Sequence, residues 1–346
     1  MNVIESVFGK LADWLWGDWL LFALVGLGLY YTIMTGCIQL RCLMLIPRGI
    51  FWGGRKKVTD KEKCSSYQAL CTAIASCVGS GNIVGVSTAV LAGGPGALFW
   101  MWVAALFGMA TKFGEIVLGI RYHGQDEKGN IAGGPMYYIA YGLNWKWAGA
   151  LVAVLLFIQN GGATLIQSNT ISQVAGEAFR APALATGIVL AVIMSLIISG
   201  GFKRLVQVAQ NVVPFMAGIY LLGGLVVLIA NAFSTVFPGM EYIIYISLLL
   251  FAGTSIMSQW YFGHISLTYL KKPGWAAVYR VVFPVLIIVG SLSTIDMVWS
   301  IQDVALGLLI IPNILALIVK GPEVRKMTKE FLDPRNGYVG VKERRK

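Results

Sequence analysis

Stretches of about twenty predominantly apolar residues recur along the chain, separated by short segments where charge, glycine and proline collect. A helix rises about 1.5 Å per residue, so about 20 such residues cross a hydrocarbon layer about 30 Å thick. Windows of that length give nine spans, near 18–40, 68–92, 96–121, 146–173, 183–200, 211–231, 241–262, 276–295 and 298–319. Within hydrocarbon each backbone N–H and C=O must be paired inside its own segment, and these runs satisfy that as helices. The pattern predicts an all-α polytopic membrane protein.

One span breaks its own pattern. Residues 71–96, CTAIASCVGSGNIVGVSTAVLAGGPG, are long enough to cross, yet carry Gly79-Ser80-Gly81-Asn82 at mid-depth and close with Gly93-Gly94-Pro95-Gly96. Glycine inside a helix costs on the order of 1 kcal/mol relative to alanine. Asn82 adds a polar group that hydrocarbon does not tolerate, so the segment needs protein or a water-filled cavity around it. The expectation is a broken helix. The glycine-proline run after it predicts a tight external turn, making a hairpin of the second and third spans. Unwound backbone at the bilayer midplane frees N–H groups for a small anionic group and C=O groups for a desolvated cation, which points to transport.

Composition agrees with a membrane location. The chain is 57% hydrophobic and 12% charged, with a mean hydropathy of +0.72, whereas soluble proteins carry about 25% charged residues. The net charge of +11 is clustered: Arg41, Arg48, Arg55, Lys56, Lys57, Lys61 and Lys63, then Lys203-Arg204, Lys271-Lys272, and the tail from Arg325 to Lys346. With the N-terminus outside and the C-terminus cytoplasmic, every cluster lies on the cytoplasmic side, as positive-inside bias requires. The charge is therefore topological and argues against nucleic acid. The N-terminus MNVIESVFGK has no basic leader pattern, so no cleaved signal peptide is expected.

Cys37, Cys42, Cys64, Cys71 and Cys77 are odd in number and lack a C-x-x-C pair, which reads as free thiols. His123 and His264 have no neighbours of metal-ligand spacing. Neither a nucleophile–base–oxyanion set nor a phosphate-binding G-x-x-x-x-G-K-S/T run is visible, which argues against an enzyme or a nucleotide-driven pump. Residues 1–320 read as one transmembrane domain and 321–346 as a cytoplasmic tail. Within the domain, 41–67 is a basic cytoplasmic loop and 122–145 a cytoplasmic segment. The latter includes a short interfacial helix at Pro135-Met136-Tyr137-Tyr138-Ile139.

The candidate site residues gather at the break. Gly79, Ser80, Gly81 and Asn82 offer N–H groups to a carboxylate, aided by the positive end of the following half-helix. The carbonyls of Ala75 and Val78 are the best placed to face a cation; Gly81 and Gly85 also fit small-residue helix packing. Adjacent Thr254 and Ser255 hydroxyls either complete an oxygen shell around a small hard cation or bond back to their own helix. Gln167 and Asn169, with Gln159 and Asn160 before them, read first as interhelical amide contacts worth about 0.6 kcal/mol each. Substrate contact at Asn169 is the second reading. Lys112 and Glu115, three apart, form a structural or gating pair, and Asp296 and Asp303 lie at the external junction of the last two spans.

The run CVGSGNIVGVSTAVLAGGPGALFWMWVAALFGMATKFGEI closely resembles the alanine or glycine:cation symporter family, with its G-S/T-G-N-I-x-G-V break followed by G-G-P-G-A-x-F-W-M-W and G-M-A-T-K-F. The likeness continues through Gly133-Gly134-Pro135-Met136-Tyr137-Tyr138, Gln167-Ser168-Asn169, Gly200-Gly201-Phe202-Lys203-Arg204, Val213-Pro214-Phe215-Met216, Phe251-Ala252-Gly253-Thr254-Ser255 and Ile311-Pro312-Asn313. The resemblance implies sodium- or proton-coupled symport of alanine, glycine or a similar small neutral amino acid across the plasma membrane, with Na⁺ as coupling ion and no cofactor. It implies a leucine-transporter-like inverted-repeat fold with one preceding helix. Ser80, Gly81 and Asn82 would then meet the amino acid. Ala75 and Val78 carbonyls with Thr254 and Ser255 hydroxyls would form the sodium site, and Trp260 would line the pathway.

The chain departs from that family after Ile229-Ala230-Asn231, where the family has two more spans with a second broken helix, S-N-E-A-G-x-G-S-A-P. Here the chain passes through Phe233 directly to Pro238. Roughly 100 residues, two spans with their loops, are absent, leaving the second repeat incomplete. Two expectations follow: a sodium-coupled symporter, or an internally deleted, non-transporting relative. The latter would be unstable or act as a binding or assembly partner, with a second chain covering the incomplete repeat.

Overall fold

The structure, a computed structural model, describes residues 3–43, 65–125, 131–232, 241–270, 273–293 and 296–333. In chain order the helices are α1 (Val3–Leu15), α2 (Asp18–Thr35), α3 (Ile38–Leu43), α4 (Ser66–Cys77), α5 (Gly81–Gly93) and α6 (Gly96–Arg121). A two-residue antiparallel ladder then pairs Gly124 with Ala132 and Gln125 with Ile131. After it come α7 (Pro135–Tyr137), running into a π-helical turn at Tyr138–Gly142, α8 (Lys146–Phe179), α9 (Ala183–Ser199), α10 (Gly201–Ala232), α11 (Glu241–Tyr269), α12 (Pro273–Leu292) and α13 (Asp296–Leu332).

Seven helices among the described residues are long and apolar enough to cross a membrane, counting Val7–Thr35 as one, and eight if the bent pair α4–α5 makes a single span. The remaining apolar segment expected from the sequence, 183–200, forms α9. Its 17 residues leave it outside that count; at 1.5 Å per residue it is about 25 Å long.

The 34-residue α8 is the hub, packing against α9, α11, α12, α13 and the π turn. It is rich in small residues, and membrane helices approach closely where side chains are small. Gly290 of α12 shows the consequence: a Cβ there would come within 2.7 Å of the Leu165 backbone oxygen of α8. The most hydrophobic window of α11 is 61% buried and that of α6 only 17%, so α11 belongs to the core and α6 to the periphery. A buried apolar cluster, Cys71, Ala75, Ala209, Val213, Met216 and Phe251, fastens α4 to α10 and α11.

Successive long helices alternate in direction. At one end Lys320 and Glu323 reach Tyr122 at 3.0 Å and 2.7 Å, and Tyr137 meets Tyr269 edge-on. At the other, Trp16 donates to the Asp303 backbone oxygen at 3.1 Å and Asn169 to that of Ser293 at 2.7 Å. The hairpin turn forms as its residues dictate: Gly94 takes a positive φ of 65°, and α6 starts immediately after Pro95.

Two segments add to the sequence reading. Residues 135–139 form a short helical turn as expected, and Met136, Tyr137, Tyr138 and Ile139 are buried against α8 and its neighbours. Their apolar faces are matched by packing. The region beyond Lys320 is not a free tail at its start, because α13 continues to Leu332 with Val324 and Thr328 buried. Most of the basic loop 41–67, namely 44–64, lies outside the described residues, as do Lys271-Lys272 and 334–346.

Candidate functional site

The break forms where the glycines stand. Ser65 and Gln68 cap the start of α4 reciprocally, the serine hydroxyl accepting from the Gln68 N–H and the glutamine carbonyl from the Ser65 N–H. The helix ends at Cys77 with Val78 extended at φ −106° and ψ 101°. α5 restarts at Gly81, bent by 46° from α4. None of the glycines at the break has a left-handed φ. Gly79 is required instead by crowding: a Cβ would lie 2.8 Å from Gln167 Nε2 and 2.9 Å from Ser255 Oγ, so α8 and α11 touch the break through its missing side chain. Gly81 and Gly85 have nothing within 4 Å of such a Cβ, so no helix among the described residues uses them for close packing.

Two neighbouring helices hold the break in place. Gln167 of α8 accepts hydrogen bonds through Oε1 from the Ser80 hydroxyl at 2.7 Å and the Ser80 N–H at 3.4 Å. Ser255 of α11 donates to the Val78 carbonyl at 3.1 Å. Asn82 reaches back across the break, its Nδ2 donating to the Cys77 carbonyl at 3.3 Å. The Asn82 N–H closes onto Gly79 O, and those of Ile83 and Val84 onto Ser80 O. The N–H groups of Gly79 and Gly81 enter none of these bonds.

These residues open onto a cavity of about 240 Å³. Its wall includes Ser76, Cys77, Gly79, Ser80, Gly81 and Asn82 from the break, Ala163, Ile166 and Gln167 from α8, Ser255 and Gln259 from α11, and Trp299 and Gln302 from α13. Every polar group named there is uncharged. Such a wall offers dipoles rather than counter-charges. The buried hydroxyls Thr164 and Ser168 bond to carbonyls four residues back, and Thr164 also reaches Gln259 Oε1 at 3.1 Å, tying α8 to α11 beside the cavity.

The expected site residues divide into those that meet and those that do not. Gly79, Ser80, Gly81, Asn82 and Ser255 share the cavity, and Val78 joins through its carbonyl. Thr254 is buried with its hydroxyl bonded to Leu250 O and Phe251 O at 3.0 Å, the i−4 and i−3 carbonyls, and 3.6 Å from Met216 Sδ. Ala75 is fully buried in the cluster between α4, α10 and α11. Asn169 is not among the cavity residues; its amide donates to Gly290 O at 3.2 Å and Ser293 O at 2.7 Å, the interhelical role that amides in membrane helices often have. Trp260 is 2% exposed and stacks on His264 at 5.4 Å, with its ring in the core between α9, α11 and α12.

Gln259, Trp299 and Gln302 are not singled out by the sequence pattern, which makes Gln167 a packing amide. Glutamines inside strongly apolar helices are themselves a signal, since an amide in hydrocarbon needs a partner. What the sequence does not state is which of them turn toward one another.

Comparison with known proteins gives the lineage. The model of the sodium:alanine symporter family matches residues 1–239 and 228–338. A sodium/alanine symporter of Methanococcus maripaludis is 38% identical over 243 residues, 67% of this chain and 53% of that protein. A probable sodium/glutamine symporter of Bacillus subtilis is 36% identical over 239 residues, 69% and 49%. An uncharacterized transporter of Haemophilus influenzae is 44% identical over 230 residues, 66% and 50%. The chain spans about half the length of the curated relatives it matches. With the family model covering nearly every residue, and the broken helix and its polar cavity in place, the chain belongs to the sodium:alanine symporter family.

Proposed function

We propose that the chain is a secondary transporter coupling Na⁺ entry to uptake of a small neutral amino acid such as alanine or glycine. The observation that carries this reading is the convergence at one cavity of a helix break, a hydroxyl from α11 and an amide from α8, all uncharged. The carboxylate of the amino acid is met by the N–H groups at the start of α5, where the helix dipole is positive, with Ser80 and Asn82 beside it. The cation takes the Val78 carbonyl and Ser255 hydroxyl, with Ala75 O and Thr254 Oγ1 as further ligands once the threonine turns from its own helix. Oxygen ligands without net charge suit a monovalent cation that must also leave.

Coupling needs no chemistry. The ion orders the break, which improves the carboxylate site, and the loaded bundle favours a different exposure of the cavity. One cation moving down 100 mV contributes about 2.3 kcal/mol, enough for about 50-fold accumulation. The alternating helices and the basic groups near one end support nine crossings with the N-terminus outside. They also support a leucine-transporter-like arrangement whose second repeat is incomplete.

The test is sodium-dependent uptake of labelled alanine into proteoliposomes. Ser255→Ala and Asn82→Ala are expected to lower it about 10-fold or more, the effect of losing a hydrogen bond to a charged group worth about 1.5–3 kcal/mol. Uptake indifferent to sodium and to both substitutions would overturn the mechanism. One observation favours a second reading: α5 has no buried residue, so the outer half of the broken helix lacks the cover its inner half enjoys. On that reading the chain is a non-transporting relative that binds or assembles with a second chain. Its mark would be alanine binding by the purified chain without uptake.

A further inference from the structure

The glutamine on α13 has no role in the mechanism above. Gln302 stands one helical turn after Trp299, so both present the same face of α13 to the cavity. Gly162 of α8 makes room for it, since a Cβ at that glycine would lie 3.3 Å from Gln302 Cβ. Its Oε1 is buried and has no hydrogen-bond partner among the described residues, and of the described residues with a buried side-chain atom in that condition Gln302 is the one that lines this cavity. Gln167 and Gln259, by contrast, have their carbonyl oxygens occupied by Ser80 and Thr164. A buried amide oxygen left unpaired is unfavourable, and a ligand that supplies a donor there is correspondingly favoured.

The cavity also exceeds what the smallest amino acids fill. At about 30 Å³ per water, 240 Å³ corresponds to roughly eight waters. If the carboxylate sits at the break on α4–α5, a side chain extending from it toward α13 meets the face that carries Trp299 and Gln302. An amide pairs with groups that both donate and accept, namely a hydroxyl or another carboxamide.

We propose that Gln302 is a specificity-determining residue, and that it selects small neutral amino acids whose side chain carries a hydroxyl or a carboxamide. The inference rests on the cavity being the amino-acid site. Alanine and glycine enter the same cavity without using Gln302. A site built to hydrogen-bond a ligand group discriminates against the analogue lacking it far better than an apolar pocket discriminates by size.

The test is equilibrium binding of serine, glutamine and alanine to the full chain in detergent with sodium, for the wild type, Gln302→Leu and Gln302→Asn. Gln302→Leu is expected to weaken serine or glutamine about 10-fold relative to alanine, with Gln302→Asn intermediate. Because the readout is a ratio within each variant, a partly misfolded fraction cancels. Unchanged ratios for both polar ligands would overturn the assignment of Gln302 alone, as would an equal loss for alanine, which would make Gln302 a contact for the shared ammonium or for the fold. A wild-type chain that binds none of the three would overturn the amino-acid reading of the cavity and this inference with it.

Discussion

Gly79 and Gly81 stand two residues apart and are needed for different reasons. At Gly79 a Cβ would press on the end of the Gln167 side chain and on Ser255 Oγ. Overfilling a packed site costs about 1–3 kcal/mol, but a flexible glutamine tip can give way. Gly79→Ala is therefore expected to act mainly by pushing Gln167 off Ser80: alanine affinity falls several-fold while the melting temperature changes little. Gly81 faces open space, and alanine is a better helix former by about 1 kcal/mol. Gly81→Ala is expected to leave thermal stability unchanged or raised. If its affinity for alanine nevertheless drops, the ligand approaches the backbone there. An unchanged affinity in both variants would contradict a site at the break.

At the scale of elements, a polar chain locks α13 to the rest of the bundle. Lys112 pairs with Glu115 at 2.8 Å, Glu115 accepts from Asn313 at 2.7 Å, and Asn313 accepts from Tyr138 of the π turn. Tyr31 of α2 adds a bond to Leu317 O at 2.8 Å. Asn313→Ala would strip partners from both Glu115 and Tyr138, and an unsatisfied buried group costs about 1–3 kcal/mol. The expected outcome is a clear fall in melting temperature in detergent, with little change in the alanine affinity of the fraction that remains folded. Gly290→Ala is expected to be as damaging, since its Cβ would meet the Leu165 backbone, which cannot move aside.

Much of this architecture is legible without coordinates. Helix positions follow from apolar run length, and the break follows from Gly79-Ser80-Gly81-Asn82, because hydrocarbon penalises those residues in an uninterrupted helix. Partners are harder to read. Thr254 and Ser255 are adjacent and chemically alike, yet about 100° of helix rotation sends one hydroxyl to its own carbonyls and the other to Val78. Asn169 and Gln167, two apart, diverge similarly, to α12 and to the break. A polar residue in an apolar helix announces that it has a partner without saying on which helix. Residues 135–139 carry a related ambiguity, since the same apolar face suits a membrane surface or a protein interior.

At the scale of the whole molecule, α4 is fastened by α10 and α11 while α5 leans on α6, with Leu91 88% exposed. That asymmetry accompanies a chain that spans about half the length of the curated relatives it matches. The cavity lies at the base of α5, where the uncovered half of the broken helix meets the half that is packed. The most direct test of the central claim uses Cys77, an exposed thiol on the cavity wall. Its rate of alkylation by a small thiol reagent is followed by mass spectrometry, with Cys37, exposed but not among the cavity residues, as the internal reference. Alanine with sodium is expected to slow labelling of Cys77 several-fold, more than either alone, and to leave Cys37 unaffected. Labelling of Cys77 that ignores both, or that changes in step with Cys37, would contradict an amino-acid and sodium site at the broken helix.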